Sequence, residues 1–261
     1  MKSGIVYLMY HELEVPGRTP CQAEPGYVRY VLTETEFRAQ LQSIKNAGWQ
    51  GVSVSQALAF PQKSSVAITF DDGCETDLLV AAPILQEFGF GATFYITSGF
   101  LGSQGYLSAE QLRQLANSGF EIGCHSMTHP YLPDLNEAGL QKEIGGAKLQ
   151  LEQILGKPVE HFSCPGGRFN KRVIEIARSV GYRSFATSRT HANHESTDPF
   201  ALGRVAVMRG LDLKTFESLY QGHGLWQLTL RDSMRDGAKR LLGNSFYDRV
   251  RATMLRNSEI H

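Results

Sequence analysis

The sequence predicts an α/β fold with a closed or nearly closed β/α barrel, and two observations predict it. Short apolar segments alternate with helical segments through residues 1–210, which is the pattern of βαβ units around a parallel sheet. Four of the helical segments also end in a glycine that an aromatic residue follows, as at Gly48 and Gly119. Glycine adopts the left-handed conformation that ends a helix at no steric cost. An open, doubly wound sheet is the alternative arrangement.

Seven segments are predicted as strands because they are short, mostly apolar and rich in β-branched and aromatic residues. These segments are Ile5–Met9, Val66–Phe70, Ala92–Ile96, Phe120–Gly123, His161–Ser163, Ser184–Thr187 and Arg204–Met208. About seven buried strands in a single chain favour a barrel over an open sheet.

Helix starts are predicted at capping boxes, in which a Ser or Thr and a Glu or Gln three residues later bond each other's backbone N–H. The pairs Thr33 with Glu36 and Ser108 with Gln111 fit this pattern. After residue 210 the pattern becomes helical and basic, with helices predicted over 213–221 and roughly 228–255. We therefore predict a barrel of residues 1–210 and a helical C-terminal extension of residues 211–261.

Composition argues against several classes of partner. The 261 residues carry 26 Lys+Arg and 26 Asp+Glu, a balance that does not favour binding to nucleic acid or to an anionic membrane. No stretch reaches the ~18 apolar residues of a membrane span, and the N-terminus lacks the long apolar region of a signal peptide. The four cysteines form no CxxC pair. These features predict a cytoplasmic protein with reduced thiols, and they leave its oligomeric state open.

Two polar motifs follow predicted strands. Asp71 and Asp72 are adjacent after the second strand, and His125 and His129 stand four residues apart after the fourth. Because the C-terminal ends of barrel strands meet at one face, these side chains are expected to converge. One carboxylate and two imidazoles would leave a zinc ion an open position, as in catalytic sites, although Co²⁺, Ni²⁺ or Mn²⁺ accept the same ligands. The alternatives are a solvated turn and an exposed helix face.

The sequence TFDDG at residues 69–73, followed by HSMTH at residues 125–129, resembles the first two motifs of the polysaccharide deacetylase family, the chitooligosaccharide deacetylase-like, metal-dependent carbohydrate esterases. The resemblance covers roughly residues 4–210 and includes YLMYHEL near the N-terminus and FSCPGGRFN at the third motif. It implies a distorted seven-stranded β/α barrel. It also implies hydrolysis of an N-acetyl group, usually on an amino sugar.

The resemblance implies roles for individual residues. Asp71 matches the family's general base and Asp72 its metal-binding aspartate, while His125 and His129 match the metal-binding histidines. The family's usual Leu-x-His motif for the catalytic acid has no match near the end of the barrel. However, YLMYHEL resembles the start of a branch that includes poly-N-acetylglucosamine deacetylases, in which the histidine of this motif is the acid. This points to His11, with a packed strand-end histidine as the alternative.

The third motif departs from the family pattern. Ser163 stands where an arginine usually orients the base, so Arg204, or alternatively Arg168, is predicted to take that role. Gly166 replaces an aromatic residue, and we expect it to leave the wall of the substrate groove without a ring. The predicted substrate contacts are Pro165, Gly166, Gly167 and Arg168.

The predicted function is a metal-dependent carbohydrate N-deacetylase acting on an amino-sugar glycan or on a cytoplasmic glycan precursor. The alternatives are a deformylase or other small-amide hydrolase on the same metal site, and a non-catalytic sugar-binding barrel. The basic C-terminal segment is interpreted either as a contact for a phosphorylated carrier or as a solvated helix face. Its basic residues are Arg231, Arg235, Lys239, Arg240, Arg249 and Arg251.

Three of the cysteines each adjoin one of the three motifs, so they are expected near the site. They are interpreted either as thiol ligands or redox sensors, or as small buried residues that pack like hydrophobic ones. These cysteines are Cys74, Cys124 and Cys164.

Overall fold

A computed structural model of the chain describes residues 4–59, 64–226 and 228–229. The predicted helix over roughly 228–255 falls outside the described residues except at its start, and so do the basic residues of the C-terminal segment.

The described residues contain eight strands, which all belong to one parallel sheet. The strands are β1 (Val6–Tyr10), β2 (Gln50–Val52), β3 (Ser65–Phe70), β4 (Thr93–Ile96), β5 (Glu121–Cys124), β6 (His161–Ser163), β7 (Ser184–Ala186) and β8 (Val205–Ala206). Their order is β7-β6-β5-β4-β3-β1-β8, with β2 paired to β3 beside this path.

The sheet curls until its two ends nearly meet. The N–H of Thr187, directly after β7, donates to the carbonyl of Leu202, shortly before β8, at 2.9 Å. The barrel is distorted at β3, because β2 pairs with residues 65–67 and β4 with residues 69–70. Since β1 pairs along the other edge of β3, β2 and β4 share one edge. The predicted nearly closed β/α barrel is confirmed, and the open doubly wound sheet is not what forms.

All seven predicted strands are present, although the last is reduced to Val205–Ala206. The prediction missed β2, whose sequence, Gln-Gly-Val, contains no apolar run. This strand depends on tertiary packing, because a Cβ on Gly51 would lie 2.6 Å from the side chain of Ile68 and 2.7 Å from that of Phe90. Only a glycine lets β2 lie this close to its neighbours.

Nine α-helices surround the sheet in the described residues. They are α1 (Pro25–Val28), α2 (Glu34–Asn46), α3 (Val54–Ala59), α4 (Ala82–Phe88), α5 (Ala109–Asn117), α6 (Glu137–Leu140), α7 (Ala147–Leu155), α8 (Lys171–Ser179) and α9 (Leu213–Tyr220). Both predicted capping boxes are confirmed, at the starts of α2 and α5. The four predicted helix-ending glycines all have positive φ, from 70° to 92°.

Aromatic rings pack between the sheet and helix α2, where Phe37 contacts both Tyr10 and Phe70 edge-on. Phe70 stacks between Tyr10 and Phe94, with ring centroids 5.2 and 4.9 Å away. Helix α9 packs outside the barrel against α2, where the hydroxyl of Ser43 donates to Glu217 at 2.8 Å. Among the described residues, no helix combines the length and the apolarity that crossing a bilayer requires.

Candidate active site

The predicted polar motifs lie at the C-terminal face of the barrel. Asp71 and Asp72 directly follow β3, and His125 directly follows β5. Loops at this face of a β/α barrel are where active sites are built. Asp71, Asp72 and His125 are at most 4% exposed, so this face holds a buried charged cluster.

One oxygen of Asp72 lies between two imidazoles. Its Oδ1 is 3.6 Å from Nε2 of His125 and 3.6 Å from Nε2 of His129. These distances are too long for hydrogen bonds, and the buried Oδ1 has no hydrogen-bond partner among the described residues. An unpartnered buried carboxylate oxygen is costly. Three ligand atoms within 4.8 Å of one another fit a divalent cation, which would satisfy that oxygen.

The tautomer of His125 also fits a metal ligand. Its Nδ1 lies 2.9 Å from the carbonyl oxygen of Ser163, and a carbonyl can only accept, so Nδ1 carries the proton. The lone pair of Nε2 then faces Asp72. Burial lowers the pKa of His125 to about 4, against the opposing charge of Asp71, so the ring is neutral near pH 7. A second-sphere carbonyl on the far nitrogen is the usual arrangement for a metal-bound histidine.

The backbone is strained around the same three side chains. Among the described residues, the non-glycine residues with positive φ are Asp72 (80°), Ser126 (67°) and His129 (59°). Such conformations cost energy and persist where the surroundings enforce them, often at functional sites. Here Glu143 enforces the turn after His125 by accepting from the N–H groups of residues 127 and 128 at 3.0 and 2.8 Å.

Asp71 is held by an arginine rather than by the histidines. Nη1 and Nη2 of Arg204 donate to its two carboxylate oxygens at 2.7 and 2.8 Å, in a bidentate ion pair. Burial alone would raise the pKa of Asp71, but the charges of Arg204 and His125 hold it well below its usual range. Asp71 is therefore an ionised carboxylate in a fixed orientation.

Arg204 lies directly before β8 and reaches Asp71 from there. It is 1% exposed, and its Nε donates to the carbonyl of Thr187 at 3.0 Å. Nη2 also donates to the hydroxyl of Ser163 at 2.7 Å. Ser163, which stands where the family usually has an arginine, thus accepts a hydrogen bond from Arg204, near the end of the barrel. Of the two arginines considered for this role, the structure brings Arg204 to Asp71.

His11 lies directly after β1, at the same face. Its ring stacks on Tyr30 with centroids 4.8 Å apart, and within the part of the chain that the structure describes its buried Nδ1 has no hydrogen-bond partner. Burial lowers the pKa of His11, while the charges of Asp72 and Asp71 act in the opposite direction. The adjacent Glu12 does not pair with His11, because it accepts from the hydroxyl of Tyr27 at 3.0 Å instead.

Comparison with known proteins identifies this barrel. Residues 60–185 match the profile of the polysaccharide deacetylase family. The chain thus matches a polysaccharide deacetylase domain over just under half of its length. The segment outside that match includes His11 and Arg204, so these two site residues lie beyond the part of the domain that the profile covers.

Two curated relatives and one solved structure illustrate the similarity. The putative polysaccharide deacetylase YxkH of Bacillus subtilis (strain 168) is 27% identical over 187 residues, which are 69% of this chain and 67% of that protein. A chitooligosaccharide deacetylase of Azorhizobium caulinodans is 32% identical over 128 residues, 48% of this chain and 59% of that protein. The chain thus spans about three fifths to two thirds of the length of these relatives.

The fold is shared with the Streptococcus pyogenes deacetylase PplD in complex with acetate. The TM-score is 0.74 at 24% sequence identity, covering 84% of this chain and 99% of that one. At this identity the likeness establishes the barrel fold alone.

The third motif of the deacetylase domain forms a tight turn at the rim of the site. The predicted substrate contacts Pro165, Gly166 and Gly167 make up this turn, with Arg168 directly after it. Gly167 has φ 65°, and a Cβ there would lie 1.6 Å from the hydroxyl oxygen of Ser188, so only glycine fits.

The expectation that this wall lacks an aromatic ring is wrong. A Cβ on Gly166 would lie 3.3 Å from the ring of Tyr131, which is 38% exposed. The guanidinium of Arg168 lies 3.7 Å from the centroid of the same ring. The ring comes from the loop after the second motif rather than from the third motif, so the aromatic position is filled from another strand end.

Sequence reasoning missed Tyr30, Tyr131 and Glu143. Tyr131 follows the HSMTHP stretch directly, so the signal available in the sequence was an aromatic residue beside a motif. No local pattern marks Tyr30 or Glu143, because their roles depend on contacts with His11 and with the turn at residues 127–128.

Proposed function

We propose that this chain is a divalent-metal-dependent carbohydrate N-deacetylase that removes acetyl groups from amino-sugar units of a glycan or glycan precursor. The observation that carries the proposal is an ionised Asp71, clamped by Arg204, directly beside an unpartnered oxygen of Asp72 that faces two imidazoles. A base and a metal-ligand set side by side are what hydrolysis of an amide requires. The names of the relatives support a carbohydrate substrate.

Asp72, His125 and His129 would hold the ion. When bound, a divalent ion polarises the amide carbonyl and lowers the pKa of a water molecule. The zinc, cobalt, nickel and manganese ions all accept this ligand set, and we propose zinc for the native protein because two imidazoles and one carboxylate with an open position match catalytic zinc sites.

Asp71 serves as the general base. Because both of its oxygens are bonded to Arg204, the carboxylate keeps its orientation when a proton is transferred to it. The hydroxyl of Ser163 lies 3.3 Å from Oδ2 of Asp71 and restricts the carboxylate further. Arg204 is therefore a positioning residue, which acts on the reaction through Asp71.

His11 serves as the general acid. An amine must be protonated as it leaves an amide, since its anion is too basic to leave. The ring of His11 is held flat against Tyr30, and no described residue forms a hydrogen bond with its Nδ1. Burial lowers the pKa of His11 and so favours loss of the proton from its protonated ring, while the charges of Asp72 and Asp71 act against this shift.

Tyr131 and Arg168 would form a platform for a sugar ring beside the turn at residues 165–167. Tyr131 exposes part of its ring, and sugar rings stack on aromatic faces. The four cysteines are all free thiols, which is consistent with a reducing compartment, so we also propose a cytoplasmic location.

The test is acetate release from N-acetylated sugars of increasing length, and from carrier-linked ones, by protein stripped of metal and then reloaded. We expect release only after reloading, and no release from Asp71→Asn protein that retains its ion. Formate release from N-formyl compounds without acetate release would identify a deformylase instead. Metal-loaded protein that binds N-acetyl sugars and releases nothing would identify a sugar-binding barrel.

A further inference from the structure

Two of the four cysteines lie in contact beside the site. Sγ of Cys21 and Sγ of Cys74 are 3.2 Å apart, although the residues are 53 positions apart in sequence. Cys74 is fully buried, whereas Cys21 is partly exposed. Cys21 is therefore the more accessible member of the pair, and Cys74 lies beneath the surface.

Close contacts on both sides hold the two sulfur atoms beside each other. Sγ of Cys21 lies 3.0 Å from the carbonyl oxygen of Gly105, and a Cβ on Gly105 would lie only 3.0 Å from that sulfur. Because Gly105 (φ 91°) has no side chain, its backbone can lie directly against Cys21. On the other side, the hydroxyl of Tyr27 lies 3.2 Å from Sγ of Cys74.

We propose that Cys21 and Cys74 form a reversible disulfide. A disulfide requires sulfur atoms about 2.05 Å apart, so the two atoms must close a gap of roughly 1 Å, which is within the reach of small side-chain rotations. A peroxide oxidises the accessible Cys21 thiol to a sulfenic acid and is itself reduced to water. The Cys74 thiol then attacks that sulfur, the S–S bond forms, and a second water leaves. The two electrons that reduce the peroxide come from the two thiols.

The disulfide would join two segments that frame the site. Cys74 lies two residues after Asp72, on the loop of the first motif. Cys21 lies on the loop before α1, and its N–H donates to Glu12, the neighbour of His11, at 2.9 Å. The bond would therefore fasten the loop that leads to Tyr27 onto the loop that carries the proposed metal ligand. It would also restrict the unfolded chain by closing a long loop.

A metal ion is the other occupant that this cluster suggests, because ligand atoms of Glu12, Cys21 and Cys74 lie within 4.8 Å of one another. Two thiolates on tetrahedral zinc, with Zn–S bonds of about 2.3 Å, lie roughly 3.8 Å apart. The observed Sγ–Sγ distance of 3.2 Å is shorter than that value, in the direction of the disulfide bond length of about 2.05 Å. The geometry therefore favours oxidation over metal binding.

The experiment compares the full-length protein reduced with dithiothreitol and then treated with hydrogen peroxide or left untreated. We expect free thiols to fall from four to two per chain, and peptide mapping without reductant to find the Cys21–Cys74 linkage. Oxidised protein should melt at a higher temperature than reduced protein, and dithiothreitol should reverse both changes. None of these readouts uses deacetylase activity, so they are independent of the proposed function.

Matched variants and internal controls keep the test decisive. Cys21→Ser and Cys74→Ser should each lose the linkage and the peroxide-dependent rise in melting temperature. The buried Cys124 and Cys164 should remain alkylatable after denaturation, and peptide mapping of the unaltered protein reports on the pair even where a variant fails to fold. Four free thiols after oxidation would overturn the proposal. So would protection of both thiols by Zn²⁺ with a second bound ion per chain.

Discussion

Two buried histidines occupy opposite ends of this barrel, and their surroundings differ in kind. His125 follows β5 at the C-terminal face, whereas His161 begins β6 at the N-terminal face. Both are 2% exposed, so burial does not distinguish them. What distinguishes them is how far each imidazole's neighbours satisfy its hydrogen-bonding groups.

His161 belongs to a complete network. Its Nε2 contacts the hydroxyl of Ser55 at 2.7 Å and its Nδ1 contacts the hydroxyl of Ser184 at 2.8 Å. Oε2 of Glu121 lies 3.5 Å from Nε2. Burial alone would raise the pKa of Glu121, but contacts with His161 and with nearby hydroxyls lower it to about 2. A buried polar network satisfied in this way stabilises one arrangement of the core.

His125 has one satisfied nitrogen, and its other nitrogen faces an oxygen of Asp72 that has no hydrogen-bond partner in the described ranges. Two of the three strained backbone positions lie within four residues of it, at Ser126 and His129. The comparison teaches that an incomplete buried network, and not burial itself, marks the functional end of a barrel.

The largest expected effect tests this distinction directly. Asp72→Ala should lose the bound ion and essentially all activity, since loss of a ligand exceeds the roughly 10–100-fold effect of outer-sphere partners. His161→Ala is the matched control at the other end of the barrel. It should melt at a lower temperature and keep its ion. Metal analysis after dialysis checks both variants. If His161→Ala lost the ion while Asp72→Ala kept it, the distinction between the two ends of the barrel would be wrong.

The next effect separates Asp71 from its neighbour. Asp71→Asn should retain the ion and lose roughly 10²–10⁴-fold in kcat, because it removes a base and not a ligand. Metal content and single-turnover acetate release, measured on the same preparation, check this expectation. Loss of the ion from this variant would instead place Asp71 among the ligands.

His11 is the third site to test. His11→Ala should lower kcat by about 10²-fold, the lower end of the range for an acid or base. The controls are His191→Ala and His223→Ala, two histidines in the C-terminal half of the chain, where the family's usual acid motif would lie. Both variants should keep near-normal rates. Near-normal turnover by His11→Ala, together with loss of turnover in either control, would show that His11 is not the acid.

The smallest expected effect is on the stability of the Glu121 network, at the N-terminal face of the barrel, as the pH is lowered. The folded-state pKa of Glu121 is about 2, below its usual value of 4.5. Its ionised form therefore adds stability above pH 4.5, and this contribution is lost as pH falls towards 2. Urea unfolding of wild type and Glu121→Gln should differ by up to roughly 3 kcal/mol at neutral pH and converge at low pH. A constant difference across that pH range would contradict the network.

Local sequence carried most of the fold. The capping boxes at Thr33 and Ser108, and the glycines that end helices, were predicted because each depends on residues a few positions apart. The strands were predicted for the same reason, apart from β2, whose three residues pair only because β3 offers them a free edge.

Local sequence also placed Asp71, Asp72, His125 and His129 at strand ends, because parallel strands bring their C-terminal ends to one face whatever the loops between them. Tertiary structure alone decided which side chains complete the site. Arg204 reaches Asp71 across 133 positions of sequence, and Cys21 reaches Cys74 across 53. Such contacts depend on how far the sheet curls and on which loops fold over its end, and no spacing along the chain records either of these.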